Sequence, residues 1–245
     1  MGTWDNPCVC LDLQRRQLIF LSCIFCPILA GEYLPGFLSG DMEMLMKVVG
    51  YRKITVAELV VVPWKNGGGV TTEIAAGPAR ASDQDWSWRI SVAEVGATGP
   101  FSVFPGIDRT IAVVHGNGMD LEFEDGRVVP LELNQPVDFD GDAIVTGILR
   151  NEAIRDFNVM VDRRYYSATL GIVQGPGEVS PETAAGSVVV IHVLDGACTA
   201  SVAAGTLETL SEQETAIFEG ETDLSVVISE GARAAIVVLE DVSVS

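Results

Sequence analysis

The two halves of this 245-residue chain carry the same turns at a nearly constant spacing. Val113-Val114-His115-Gly116 parallels Val193-Leu194-Asp195-Gly196, each an apolar run that ends in a glycine. Asp125-Gly126 has its counterpart in Ala204-Gly205, and Phe139-Asp140-Gly141-Asp142 in Phe218-Glu219-Gly220-Glu221. The offsets between the paired glycines are 80, 79 and 79 residues. Glycine supplies the backbone freedom that a tight reversal needs, so each match marks the same strand-turn-strand unit. A β unit of this size that occurs twice specifies two similar barrels packed together, not one continuous sheet.

From Lys47 onward the chain is a succession of short runs rich in Val, Ile, Thr and Phe, punctuated by Gly, Pro, Asp and Asn. This pattern predicts strands over Leu59–Val62, Val70–Ala75, Trp86–Val92, Thr110–Val114, Ser187–Leu194 and Ala234–Leu239. No long window sustains the helical period. The expected fold is all-β: a bicupin, two cupin β-barrel or sandwich halves, with residues 47–162 as the first half and 163–245 as the second.

Residues 1–46 do not match the rest. They hold four of the five cysteines (Cys8, Cys10, Cys23 and Cys26) and an apolar stretch from Leu18 to Ala30 behind Arg15 and Arg16. A signal peptide has this layout, but Pro27 interrupts the stretch and Ile28-Leu29-Ala30-Gly31 makes a poor cleavage site. The CxC and CxxC pairs also suggest zinc or a disulfide knot, although the segment between them supplies no His. The simplest expectation is an N-terminal extension outside the fold, with the functional chain beginning at Met42, Met44 or Met46.

Charge narrows the function. Fifteen Lys and Arg against 34 Asp and Glu give a net charge of −19, which repels a phosphate backbone. No apolar run is long enough to span a bilayer. The expectation is a cytoplasmic protein with no nucleic-acid or membrane partner. A metal-binding cupin needs two or three His converging on one centre, and this chain has only His115 and His192, one per repeat. No metal and no cofactor are therefore expected. No Ser lies in GxSxG, and Gly67-Gly68-Gly69 is followed by neither a Walker Lys nor a helix.

What remains is polar residues set into apolar strands. Pro63-Trp64-Lys65-Asn66-Gly67-Gly68-Gly69 leads into a strand on which Thr71, Glu73 and Ala75 share a face. Glu73 is thereby aimed into a pocket or onto Lys65 or an Arg. Along Trp86–Glu94, the alternation separates Trp86, Trp88, Ile90 and Val92 from Ser87, Arg89 and Ser91. An Arg and two hydroxyls on the inner face of a small barrel form a wall suited to a carboxylate, since guanidinium is a rigid two-pronged donor. Arg109 enters a further apolar strand after Pro105-Gly106-Ile107-Asp108, and the second repeat has nothing comparable. A pocket in the first half only is the natural expectation.

Together, PWKNGGGVTTEIA, WSWRISVAEV, GPFSVFPGIDRTIAVVHGNG and RDFNVM at Arg155–Met160 resemble the HutD/Ves family, over roughly Val60 to Arg164. The resemblance implies a bicupin without a cupin metal centre, bacterial and associated with histidine utilisation, that binds urocanate or N-formylglutamate and restrains pathway flux. It implies no established reaction. Carried over position by position, Arg109 matches the carboxylate-binding arginine. Lys65, Asn66, Glu73, Arg89, Ser91 and Glu94 then line or brace the same pocket. Asp156 and Asn158 fall in a further motif, with Asn158 counted among the ligand-binding residues and Asp156 as support. His115 departs from the family pattern before its glycine.

The leading expectation is a small-carboxylate-binding regulator of histidine utilisation, with the second half as scaffold. Exposed strand edges leave room for a homodimer. An alternative is a cofactor-free hydrolase or isomerase with Glu73 or Glu94 as base beside Arg109. A third is a protein-binding module whose grooves only resemble ligand sites.

Overall fold

The structure, a computed structural model, describes residues 8–12, 17–21, 50–64, 67–81, 83, 85–202, 205–220 and 223–243. The chain divides into two compact units, Met1–Glu43 and Met44–Ser245. In the first, β1 (Cys8–Asp12) and β2 (Gln17–Leu21) pair as an antiparallel hairpin. Cys23, Cys26 and the start-site methionines Met42, Met44 and Met46 lie outside the described residues.

The second unit opens with β3 (Tyr51–Ile54) and continues through β4 (Val60–Pro63), β5 (Gly69–Pro78), β6 (Trp86–Val95) and β7 (Gly99–Pro100). Then follow β8 (Ile107–His115), β9 (Met119–Phe123), β10 (Val128–Leu131), β11 (Val137–Asp140), β12 (Val145–Leu149) and β13 (Ile154–Asp162). The later part holds β14 (Tyr166–Gln174), β15 (Gly177–Val179), β16 (Val188–Asp195), β17 (Ala197–Val202) and β18 (Gly205–Ser211). It closes with β19 (Thr215–Glu219), β20 (Leu224–Ile228) and β21 (Arg233–Asp241).

Topology repeats as the turns do. The order β11-β8-β13-β6 recurs as β19-β16-β21-β14, and β10-β9-β12-β7 recurs as β18-β17-β20-β15. The repeats differ at their edges. β5 and β4 extend the first large sheet beyond β6, whereas β3 joins the second large sheet beyond β19, more than 150 residues away in the chain. Lys53 secures that join with ion pairs to Glu208 and Glu214, both at 3.1 Å. Strand β4 forms an open edge with Val60, Val61 and Val62 exposed. The first matched turn keeps its geometry, with Gly116 and Gly196 both at positive φ, 97° and 73°, whereas in the third Gly220 takes φ of 95° and Gly141 does not take positive φ.

Among the described residues, three cores follow from strand alternation. In β8, Ile111 and Val113 point into the first barrel, where they meet Met119, Leu121 and Leu131. The intervening Ala112 and Val114 face the other large sheet. In β16, Val189, Ile191 and Val193 fill the second barrel while Val188 and Val190 face the first repeat. Ile90, Phe157, Val190 and Val237 are fully buried in that shared middle layer. Each such side chain contributes roughly 1.5–3 kcal/mol by leaving water. The central strand β13 is thus covered on both faces, and a strand so placed has no burial reason to carry polar residues. Its buried Asp156 and Asn158 therefore mark a site. Among the described residues, no helix is long and apolar enough to cross a membrane.

Candidate functional site

A cavity of about 590 Å³ opens inside the first barrel. That is within the range of small-molecule sites. Three neighbouring strands supply its wall, each through the face that alternation turns inward. Strand β6 contributes Arg89, Ser91 and Ala93; β13 contributes Met160, Asn158 and Asp156; β8 contributes Arg109. Antiparallel register aligns them in rows, with Arg89 and Arg109 flanking Met160, Ser91 opposite Asn158, and Ala93 opposite Asp156. Trp64, Phe101 and Phe104 add aromatic surface.

Arg109 is only 6% exposed. Its guanidinium lies 4.9 Å from the centre of the Phe139 ring, 5.1 Å from Phe101 and 5.8 Å from Phe104. The Nε atom has no hydrogen-bond partner among the described residues. Burial pulls its pKa down to about 10, the Asp156 carboxyl opposes this, and nearby Arg89 adds to it. The three rings stabilise the cation through their faces without satisfying its N–H groups. Arg109 is left as a charged donor facing a cavity.

Asp156 is 2% exposed, and burial pushes it up to about 7 against the pull of Arg109. Asp156 Oδ1 and Asn158 Oδ1 are both buried without a partner. An unsatisfied buried acceptor costs about 1–3 kcal/mol, so two on one strand, beside an unsatisfied donor, form a site built for something else to complete.

The remaining sequence expectations fall as follows. Arg89 Nε donates to Glu73 Oε2 at 2.7 Å, so Glu73 braces an arginine. Ser91 and Asn158 stand side by side in the wall. Lys65 and Asn66 lie outside the described residues. Glu94 does not belong to this cavity. It is an even-numbered residue of β6, on the face of Trp88 and Ile90, and it lines a separate cavity on the opposite side of the sheet. Asp156, expected only as support, lines the cavity directly. Strand parity could have revealed both, since Asp156 and Asn158 share one face of β13 as surely as Arg89 and Ser91 share one face of β6.

The glycine run has a local cause. Gly67 takes φ of 71° in the turn, where its N–H donates to the Trp64 carbonyl at 3.0 Å. A Cβ on Gly69 would lie 2.2 Å from the Glu94 carbonyl oxygen and 3.1 Å from the Trp64 ring. Trp64 is held over that glycine by a 2.8 Å hydrogen bond from Nε1 to Thr71 Oγ1. The motif thus seats an aromatic side chain at the cavity rim.

No group of three His, Cys, Asp or Glu that could hold a metal occurs among the described residues. His192 is buried, with Nδ1 2.8 Å from Thr215 Oγ1, and His115 is exposed at the end of β8. Cys198 is a buried free thiol.

Two barrels of matching topology, one carrying a wall of buried unpaired polar groups, define a bicupin with its candidate site in the first repeat. The chain belongs to the HutD family, whose model matches residues 56–236. It is 38% identical over 109 residues to an uncharacterised 21.2 kDa protein in the hutC 3' region of Pseudomonas putida, an alignment covering 44% of this chain and 57% of that one. It is 34% identical over 109 residues to the protein Ves of Citrobacter koseri, covering 44% and 56%. These alignments thus span little more than half the length of the relatives. Among solved structures, it is similar to a conserved protein of unknown function from Pseudomonas aeruginosa PAO1, at 30% identity and a TM-score of 0.70, covering 78% of this chain and 98% of that one. HutD from Pseudomonas fluorescens SBW25, solved in a formate condition, gives 29% identity and a TM-score of 0.66 with the same coverage. Protein YlbA from E. coli, at 11% identity and a TM-score of 0.56, shares the fold alone.

Proposed function

We propose that this protein binds a small carboxylate in the first-barrel cavity and acts as a regulatory binding protein in histidine utilisation. The observation that carries the reading is Arg109, a buried guanidinium with an unpartnered Nε at a cavity wall in a chain of net charge −19. Such a locally positive pocket draws anions despite the adverse overall charge. The row Met160–Asn158–Asp156 runs from the arginine end of the cavity to an acceptor end. That arrangement favours a ligand with a carboxylate at one end and an N–H donor at the other, a description that urocanate and N-formylglutamate both meet. Membership of the HutD family agrees with it. Isothermal titration with both compounds is expected to give saturable binding that Arg109→Gln weakens by on the order of 30-fold or more, the scale of a lost buried charge-assisted pair. Equal affinity in the variant would overturn the reading.

A second reading is favoured by Asp156. A cofactor-free acid or base needs a buried carboxyl with a raised pKa beside the reacting group. Asp156 has that character, whereas Glu73 is engaged by Arg89 and Glu94 faces away. Turnover of either compound in proportion to protein, abolished by Asp156→Asn, would establish an enzyme.

A further inference from the structure

A smaller cavity of about 140 Å³ lies where the two repeats meet, and Arg155, Val114, Arg233, Leu194, Gln213 and His192 line it. These residues follow the repeat. The β8–β13 ladder skips Val114 at a bulge, and the β16–β21 ladder skips Leu194 at the matching place. Beside each bulge an arginine faces the last residue of the neighbouring strand: Arg155 opposite His115, and Arg233 opposite Asp195. Asn134 and Gln213, with φ of 63° and 64°, also correspond. Their N–H groups donate to the carbonyls of Val113 and Val193 at 2.7 and 2.8 Å.

The ionic partners break the symmetry. Arg233 Nε donates to Asp195 Oδ2 at 2.7 Å, and its Nη1 donates to Asn134 Oδ1 at 2.8 Å. In the first repeat the counterpart of Asp195 is His115, which is exposed and brings no carboxylate. The Arg155 side chain is half-buried, and its guanidinium makes no hydrogen bond or ion pair with any described residue. Gln213, the counterpart of Asn134, lines the cavity and makes no hydrogen bond to Arg155. One side of the junction is a completed arginine-carboxylate pair, and the other is the same arrangement with the carboxylate missing.

We propose that this junction cavity is a second binding site, in which Arg155 takes the carboxylate of a small monocarboxylate in the manner that Arg233 takes Asp195. A partly desolvated guanidinium that makes no direct ion pair, even with Glu94 across the ladder, gains a two-pronged partner. A water needs roughly 10–15 Å³ of such space, so the cavity has room for about ten waters and admits a small carboxylate such as acetate or propionate. Val114 and Leu194 offer apolar surface to its carbon end. Glu94, directly across from Arg155 on β6 and exposed at the same cavity, repels a second carboxylate. The proposal is independent of the Arg109 cavity.

The test is a titration of the full chain with sodium acetate at constant ionic strength, read by the arginine Nε–H signals in ¹H–¹⁵N spectra. The Arg155 signal is identified by its loss in Arg155→Lys. A saturable shift of that signal is expected in the unmodified protein and equally in Arg109→Gln. His115→Asp supplies the missing carboxylate at an exposed position, so it is expected to weaken acetate binding by on the order of tenfold or more. Succinate is expected to bind more weakly than propionate. A shift unchanged in His115→Asp, one lost in Arg109→Gln, or one that chloride reproduces equally would overturn the proposal. Equal binding of succinate would overturn the restriction to monocarboxylates.

Discussion

Arg109 and Asp156 face one cavity from adjacent strands, both buried, and no hydrogen bond or ion pair joins them. Register explains the gap. Arg109 pairs with Met160, and Asp156 stands four residues further along β13, roughly 13 Å at 3.3 Å per residue. Burial keeps both groups away from water, and the space between them prevents a direct ion pair while each still feels the other's charge. Asn158, with its own unpartnered oxygen, stands midway.

This relationship makes stability depend on pH in a way that one variant exposes. Asp156 has its pKa raised to about 7 in the folded protein. Its contribution is therefore full below about pH 4, the ordinary aspartate range, and is lost as pH rises towards 7. His192 acts in the opposite sense, because burial lowers it to about 4. Its contribution is present above about pH 6.5 and is lost as pH falls towards 4. Across pH 4–6.5 the two oppose each other. Relative to the unmodified protein, Asp156→Asn is expected to make stability fall more steeply towards acid, and His192→Gln to make it fall more steeply towards neutral pH. The slope changes should reach at most about 1.4 kcal/mol per pH unit, measured by urea unfolding at a series of pH values. Parallel curves for all three proteins would contradict these protonation states.

Arg109→Met tests whether the arginine serves binding at the expense of stability. A buried cation with an unsatisfied Nε is costly, and a similar-sized apolar side chain among Phe101, Phe104 and Phe139 removes that cost. Unfolding free energy is expected to stay the same or rise by about 1–3 kcal/mol while carboxylate binding is lost. A loss of several kcal/mol would instead identify Arg109 as a structural residue.

Glu73→Gln separates bracing from catalysis. The pair with Arg89 is partly exposed, at 22% and 37% for the two side chains, so its removal should cost no more than about 1 kcal/mol. With one negative charge gone from beside the wall, affinity for a carboxylate is expected to rise or hold, as titration would record. A fall of tenfold or more would mean that Arg89 binds only when Glu73 orients it.

Gly69→Ala is expected to destabilise by about 2–4 kcal/mol, since the new methyl meets the Glu94 carbonyl oxygen and the Trp64 ring without room to relax. Gly171→Ala provides the contrast. A Cβ there meets nothing within 4 Å, and the substitution should be neutral or stabilise by up to about 1 kcal/mol. Thermal or urea unfolding of the two variants would compare them directly.

Much of this architecture is written locally. The glycine turns at Gly116 and Gly196, the strands between them and the inward face shared by Arg89 and Ser91 all follow from turn chemistry and a period of two, which neighbouring residues set among themselves. The same period places Asp156 beside Asn158 and turns Glu94 away, although a family motif that reads Ser91 and Glu94 together conceals it. Partners distant in sequence are another matter. Strand β3 completes the sheet of β19, and Arg233 reaches across the junction to Asn134, because burying the middle apolar layer brings those segments together. Whether Arg155 would find a carboxylate depended on that packing as well. The chain places His115 opposite it where the repeat has Asp195, and only the assembled junction leaves the guanidinium facing an open space.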